Sequence, residues 1–305
     1  MLDKSLIPVG TTPGVDALFD TFLQCFTPIV TGVNLLLSLI VLVVFINIGK
    51  LHSPSNFIYF NLVIIDLINA IIGVLISVEV WNKYDDSSMQ DWGNITTIQV
   101  VSGYLYVFTF DANIFLVFAQ ALIRLLCLKM CALSIIEKLK IISWVTVGFA
   151  YFVGLGCCAD LYFSDIYSET RQPFPGIFVE FVDLFESIVI LVTISMSVYT
   201  LVSISFHMPA INRSVYFSAS MTSFLLTLTL SMSYLHYLIV NGARIYYKKG
   251  HGVDDFEKMC RKSEDWVWMD ILLCETMDVG VIFLCLNSVF NSTILLCQVN
   301  VIVGN

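Results

Sequence analysis

The charges in this chain are clumped, and long apolar segments run between the clumps. Seven segments can be traced, over roughly 24–49, 56–82, 97–128, 139–163, 176–206, 214–241 and 268–300. Each exceeds the roughly 20 residues that a helix needs to cross a bilayer, and several are long enough to tilt or to project beyond it. A membrane barrel would show period-two alternation in segments of about ten residues, and none is seen. The expected fold is an all-α membrane protein. It is a seven-transmembrane helix bundle over 24–302, behind a short extracellular N-terminal tail, 1–23. Composition agrees: 58% of residues are hydrophobic and 13% charged, where a soluble domain carries about a quarter charged residues.

Several function classes fall away. A net charge of −9, with few basic residues, argues against nucleic-acid binding. No metal-ligand cluster or nucleophile constellation stands out, so an enzyme is not expected. The start, MLDKSLIPVGTTPGVDALFD, has no basic stretch ahead of an apolar core, so the first helix is expected to act as the insertion signal.

Orientation follows from the basic residues. With the N-terminus outside, Lys50, Arg124, Lys129, Lys138, Lys140 and Arg213 fall on the cytoplasmic side. Lys4, Lys83, Arg171 and six basic residues of 244–266 fall outside, a count that opposes this orientation. Those six sit among five acids, and early, short loops dominate orientation. Asn94-Ile95-Thr96 is a glycosylation sequon on the same outer side. The expected topology is N-terminus outside, in the plasma membrane.

Polar residues inside the apolar segments constrain function more sharply, because amides and carboxyls are costly in hydrocarbon without partners. The second segment reads SPSNFIYFNLVIIDLINAI, with Asn56, Leu62 and Asp66. The third ends in FAQALIRLLCL, with Arg124. Trp144 stands in IISWVTVGF, Tyr199 in MSVYTLVSI, and Asn287, Ser288 and Asn291 in LNSVFNSTILL. In order and position these resemble the helix motifs of rhodopsin-like (class A) G-protein-coupled receptors, in a divergent form of chemosensory or viral type. The matches are the N…L-x-x-x-D of the second helix, the Arg of D-R-Y, the fourth-helix Trp, the fifth-helix Tyr and the seventh-helix L-N-S-x-x-N-P-x-x-Y.

The resemblance implies a site and a switch. In that family the second-helix Asp, a polar third-helix residue and the seventh-helix polar groups surround a sodium ion. Here they would be Asp66, Asn113, Asn287, Ser288 and Asn291. Asn113 lies eleven residues before Arg124, or about 16 Å along a helix, which sets it at mid-membrane. One carboxylate with neutral oxygens suits a hard monovalent cation. The structural alternative is a protonated Asp66 in a hydrogen-bond network between helices. Arg124 and Tyr199 would form the switch that meets a heterotrimeric G protein. The alternative for Arg124 is snorkelling to the interface.

Departures from the family are equally plain. Ile123 and Leu125 flank Arg124 where the family has Asp and Tyr, so nothing local is expected to restrain it. Ser292 and Leu295 replace the seventh-helix Pro and Tyr. In LSMSYLHYL only Tyr234 matches the sixth helix, and the fifth lacks its Pro. Ser38 occupies the place of the first-helix Asn, with Asn34 one turn early. All seven prolines are expected at helix starts, in loops or in the tail. The family disulfide is missing, since neither 84–105 nor 161–180 contains Cys. Cys25–Cys260 would tie the tail to the last loop as in chemokine-type receptors, with Cys260–Cys274 or free thiols as alternatives. The chain stops at Asn305, leaving truncation or a lack of arrestin-type regulation as readings.

Carboxylates crowd the outer helix halves: Glu79, Asp111, Asp160, Glu180, Asp183, Glu186, Asp270, Glu275 and Asp278. Such groups face a cavity, a partner or water. Asp111, about 20 Å above Arg124, lies at the depth of a ligand pocket, as do Asp183, Tyr234 and Asp278. An acidic vestibule would draw a cationic ligand. Three functions compete: a receptor, a seven-helix scavenger, chaperone or dimer partner that has lost coupling, and a transporter or channel. The last would need an internal repeat or broken helices, which are not seen.

Overall fold

Inside a bilayer the backbone cannot bond to water, so an apolar segment of this length must satisfy its amides within itself, as a helix does. In the computed structural model, residues 13–47, 54–85, 97–129, 135–168, 176–207, 216–235 and 276–304 are described, with side chains over the inner part of each helix. All of these segments are helical. They are α1 (Pro13–Asn47), α2 (Pro54–Asp85), α3 (Thr97–Lys129), α4 (Ile135–Ser168), α5 (Gly176–His207), α6 (216–235) and α7 (Thr276–Gly304). Five carry spans long and apolar enough to cross a membrane: Cys25–Asn47, Asn56–Leu75, Tyr104–Lys129, Lys138–Ala159 and Leu184–Phe206. In α7 the described side chains form an apolar stretch over Phe283–Cys297.

Two expectations change at the N-terminus. The first helix begins at Pro13 rather than near residue 24, so much of the expected tail is helical. Pro28 then lies inside α1, not at its start. Proline lacks the N–H that would bond to the carbonyl of Gln24.

The burial pattern is inside-out relative to a soluble protein. Ile29, Val33, Leu36, Ile40 and Val43 form an exposed stripe along α1 at helical spacing, and Ile141, Val145, Phe149 and Phe152 form another along α4. On the inward face of α1 lie Thr31, Asn34 and Ser38, all buried. An apolar surface around an interior in which polar groups are buried among apolar side chains fits hydrocarbon as the surrounding solvent.

Helix α3 sits at the centre and packs against α2, α4 and α5, while α7 closes the other side against α1 and α2. Helix α6 joins through Ser197–Thr227 to α5, at 3.1 Å, and through the stacked rings of Phe110 and Tyr234 to α3, at 5.6 Å. Many Ser and Thr hydroxyls inside the helices bond back four residues, as Thr193 does to the Val189 carbonyl at 2.6 Å and Ser231 to that of Thr227 at 2.6 Å.

Small residues set how closely helices approach. A Cβ on Gly154 would stand 2.7 Å from the Phe108 carbonyl oxygen, whereas one on Gly156 would meet nothing within 4 Å. The backbone of α3 cannot retreat locally. Gly154→Ala is therefore expected to destabilise the fold by about 1–3 kcal/mol, with Gly156→Ala as the control, stabilising by up to about 1 kcal/mol because Ala is the better helix former. Melting in detergent micelles measures both. Equal melting temperatures would mean that α3 and α4 do not pack this closely.

Candidate functional site

Asp66 lies in the middle of α2 and is fully buried. The Nδ2 group of Asn291 on α7 donates to its Oδ1 at 3.4 Å, and Ser288, nearly one turn earlier on α7, meets the same carboxyl. Asn291 also accepts, at 3.3 Å, from the Thr229 hydroxyl of α6, which shares its proton with the Leu226 carbonyl at 3.0 Å. Its amide thus links α2, α6 and α7.

Further bonds extend this knot to α1. Asn34 donates to the backbone carbonyl of Asp66 at 3.4 Å. Ser38 donates to Asn34 at 3.1 Å and pairs with Ser292 at 3.3 Å. Asn69, one turn beyond Asp66, donates to Ser288 at 3.2 Å. Every one of these side chains except Thr229 is buried.

The five residues expected to share a site are all buried, but they differ in bonding. Asp66, Ser288 and Asn291 are connected. Asn113 and Asn287 have neither amide nitrogen nor oxygen bonded to a protein group among the described residues. Asp66 Oδ2 and Asn69 Oδ1 are also buried without a donor. An unmatched polar group in hydrocarbon costs several kcal/mol, so these atoms require water or an ion. The acceptors are one carboxylate oxygen and amide oxygens from Asn69, Asn113 and Asn287. Oxygens of this type suit a hard cation, and the Cys285 thiol, which donates to the Asn69 carbonyl at 3.8 Å, is the soft group beside them.

Arg124 departs from expectation. It is not unrestrained: its guanidinium donates to the Tyr59 hydroxyl of α2 at 3.4 Å and lies 5.7 Å from the centre of that ring. Tyr59 itself is buried. Two turns before Asp66 on α2, it reaches the same membrane level as Arg124, so α2 supplies the restraint that the residues flanking Arg124 do not. Tyr199 is half exposed and its ring lies under the Lys129 ammonium, 5.4 Å away. Trp144 faces outward and packs on Phe57, the rings tilted by 32° with centres 4.4 Å apart.

In the outer half, Asp111 of α3 and Glu186 of α5 are both buried. Tyr234 is buried, with its hydroxyl 3.5 Å from Ser187. Asp183 and Asp278 lie on α5 and α7, but their side chains fall outside the described residues, as do Asn94 and Cys260 entirely. Cys25 is exposed on α1.

Asn69, Thr229 and the pairing role of Ser292 escape a motif reading. Asn69 carries a local signal, because a residue three after Asp66 shares its helix face. Ser292 reads in sequence as a lost proline, whereas its hydroxyl is a cross-helix bond. Scanned against protein-family models and against curated protein sequences, the chain matches none.

Proposed function

We propose that the chain is a divergent seven-transmembrane receptor of rhodopsin-like type, with its N-terminus outside in the plasma membrane. It passes an extracellular signal, or its own ligand-independent activity, to a heterotrimeric G protein. The observation that carries this reading is the sharing of Asn291 between Asp66 at 3.4 Å and Thr229 at 3.3 Å. A single amide bonded to both α2 and α6 is a joint whose rearrangement couples movement of one helix to the other. The unmatched oxygens of Asp66 and of Asn69, one turn on, support a sodium ion there, and the buried carboxylates Asp111 and Glu186 support a cationic ligand above.

A second reading is a seven-helix protein without G-protein coupling, acting as a scavenger or dimer partner. The engagement of Tyr199 with Lys129 favours it, because that ring is then not free to support Arg124. A G-protein activation panel in cells, read by cAMP and calcium without added ligand, separates the two. The receptor reading expects basal signal from the wild type and its loss in Arg124→Ala. No difference between them in any arm, with or without candidate cationic ligands, sinks the signalling role of this residue.

A further inference from the structure

Between α3 and α5 runs a groove of about 430 Å³. Its walls are apolar: Leu125 on α3 and Leu191, Val192 and Met196 on α5. Leu191 is largely exposed, so the groove opens outward, to the lipid side. Ser195 also lines it, but its hydroxyl is spent on the Leu191 carbonyl at 2.8 Å. The polar chemistry therefore sits at one end, where the Lys129 ammonium rests over the Tyr199 ring.

Depth and charge narrow the occupant. Lys129 is the basic residue of the last turn of α3, and a long cationic side chain at a membrane-helix end reaches the polar boundary. From Tyr199 to Leu191 is eight residues, about 12 Å down α5 toward the bilayer centre. Among the described residues no carboxylate pairs with Lys129. The aromatic face takes one side of the ammonium and leaves donors directed to the interface. A cation at headgroup level above an apolar trough is complementary to an amphiphile with a negative head.

We infer that this groove is a binding site for an anionic glycerophospholipid, its phosphate on Lys129 and one acyl chain along Leu125, Leu191, Val192 and Met196. The site does not depend on G-protein coupling and stands or falls separately from the receptor reading.

The test uses the full chain, purified in a neutral detergent and offered equal phosphatidylglycerol and phosphatidylcholine, with bound lipid counted by native mass spectrometry. One basic residue near the surface contributes a preference of about fivefold for anionic lipid. Wild type is expected to show it, Lys129→Gln to lose it, and Met196→Trp, which fills the trough on its lipid side, to retain neither lipid specifically. Lys140→Gln, which removes another exposed cation, should leave the preference intact. Equal retention of both lipids by wild type overturns the proposal. So does an undiminished preference in Lys129→Gln, or a loss in Lys140→Gln as large as that in Lys129→Gln, which would mean diffuse surface charge.

Discussion

In detergent, the protein is expected to melt at a higher temperature when sodium replaces choline at constant ionic strength, and Asp66→Asn is expected to remove that rise. The reasoning starts from the unmatched acceptors. Asp66 Oδ2 and the amide oxygens of Asn69, Asn113 and Asn287 are buried without donors, and a cation that binds them in the folded state alone stabilises that state by mass action. At a hundred times its dissociation constant the gain is about 2.7 kcal/mol, or roughly 4 °C for a chain of this size. Asp66→Asn preserves volume and keeps an oxygen for the Asn291 donor. It removes only the charge that a cation needs. In choline the variant should be no less stable than wild type, since a neutral amide costs less in hydrocarbon than a carboxylate. Identical melting of the wild type in both salts would overturn the ion and leave a water-filled or protonated network between the helices.

How much of this was legible in the sequence depends on whether the property is local. Helix existence was, because length and hydropathy are local: the expected second, third and fifth segments lie within a few residues of α2, α3 and α5. Pro28 was misjudged for a related reason. Proline reads as a boundary, yet a membrane helix tolerates it where the freed carbonyl finds another partner. Cross-helix partners were the hardest part. Asp66, Ser288 and Asn291 could be grouped by resemblance, but the bonds of Ser38 to Ser292 and Thr229 to Asn291 depend on the rotation of each helix about its axis. The same rotation decides Tyr199. Its position along α5 suits a partner of Arg124, and its direction gives it Lys129 instead.

Loosening the Tyr59 contact is expected to raise basal signalling in steps, if Arg124 is the residue that meets the G protein. Tyr59→Phe removes the hydroxyl acceptor at 3.4 Å and keeps the ring. Tyr59→Leu removes the ring as well, and with it the attraction of the aromatic face for the guanidinium. A hydrogen bond to a charged group contributes about 1.5 kcal/mol at the lower end of its range, which suits this length, and a partly buried cation–π contact contributes about 1 kcal/mol. Losing the first alone shifts the balance toward a released Arg124 by about tenfold, and losing both by several tens. Basal cAMP or calcium signal, normalised to surface expression, should therefore rise from wild type to Tyr59→Phe to Tyr59→Leu. Arg124→Ala should abolish the signal in every background, because the restraint acts only through that side chain. A rise in Tyr59→Leu that survives Arg124→Ala would place the effect in packing, since Tyr59 is among the largest fully buried side chains. A fall in Tyr59→Phe would reverse the assignment, making the hydroxyl a support of the active arrangement in which Arg124 is held ready by α2.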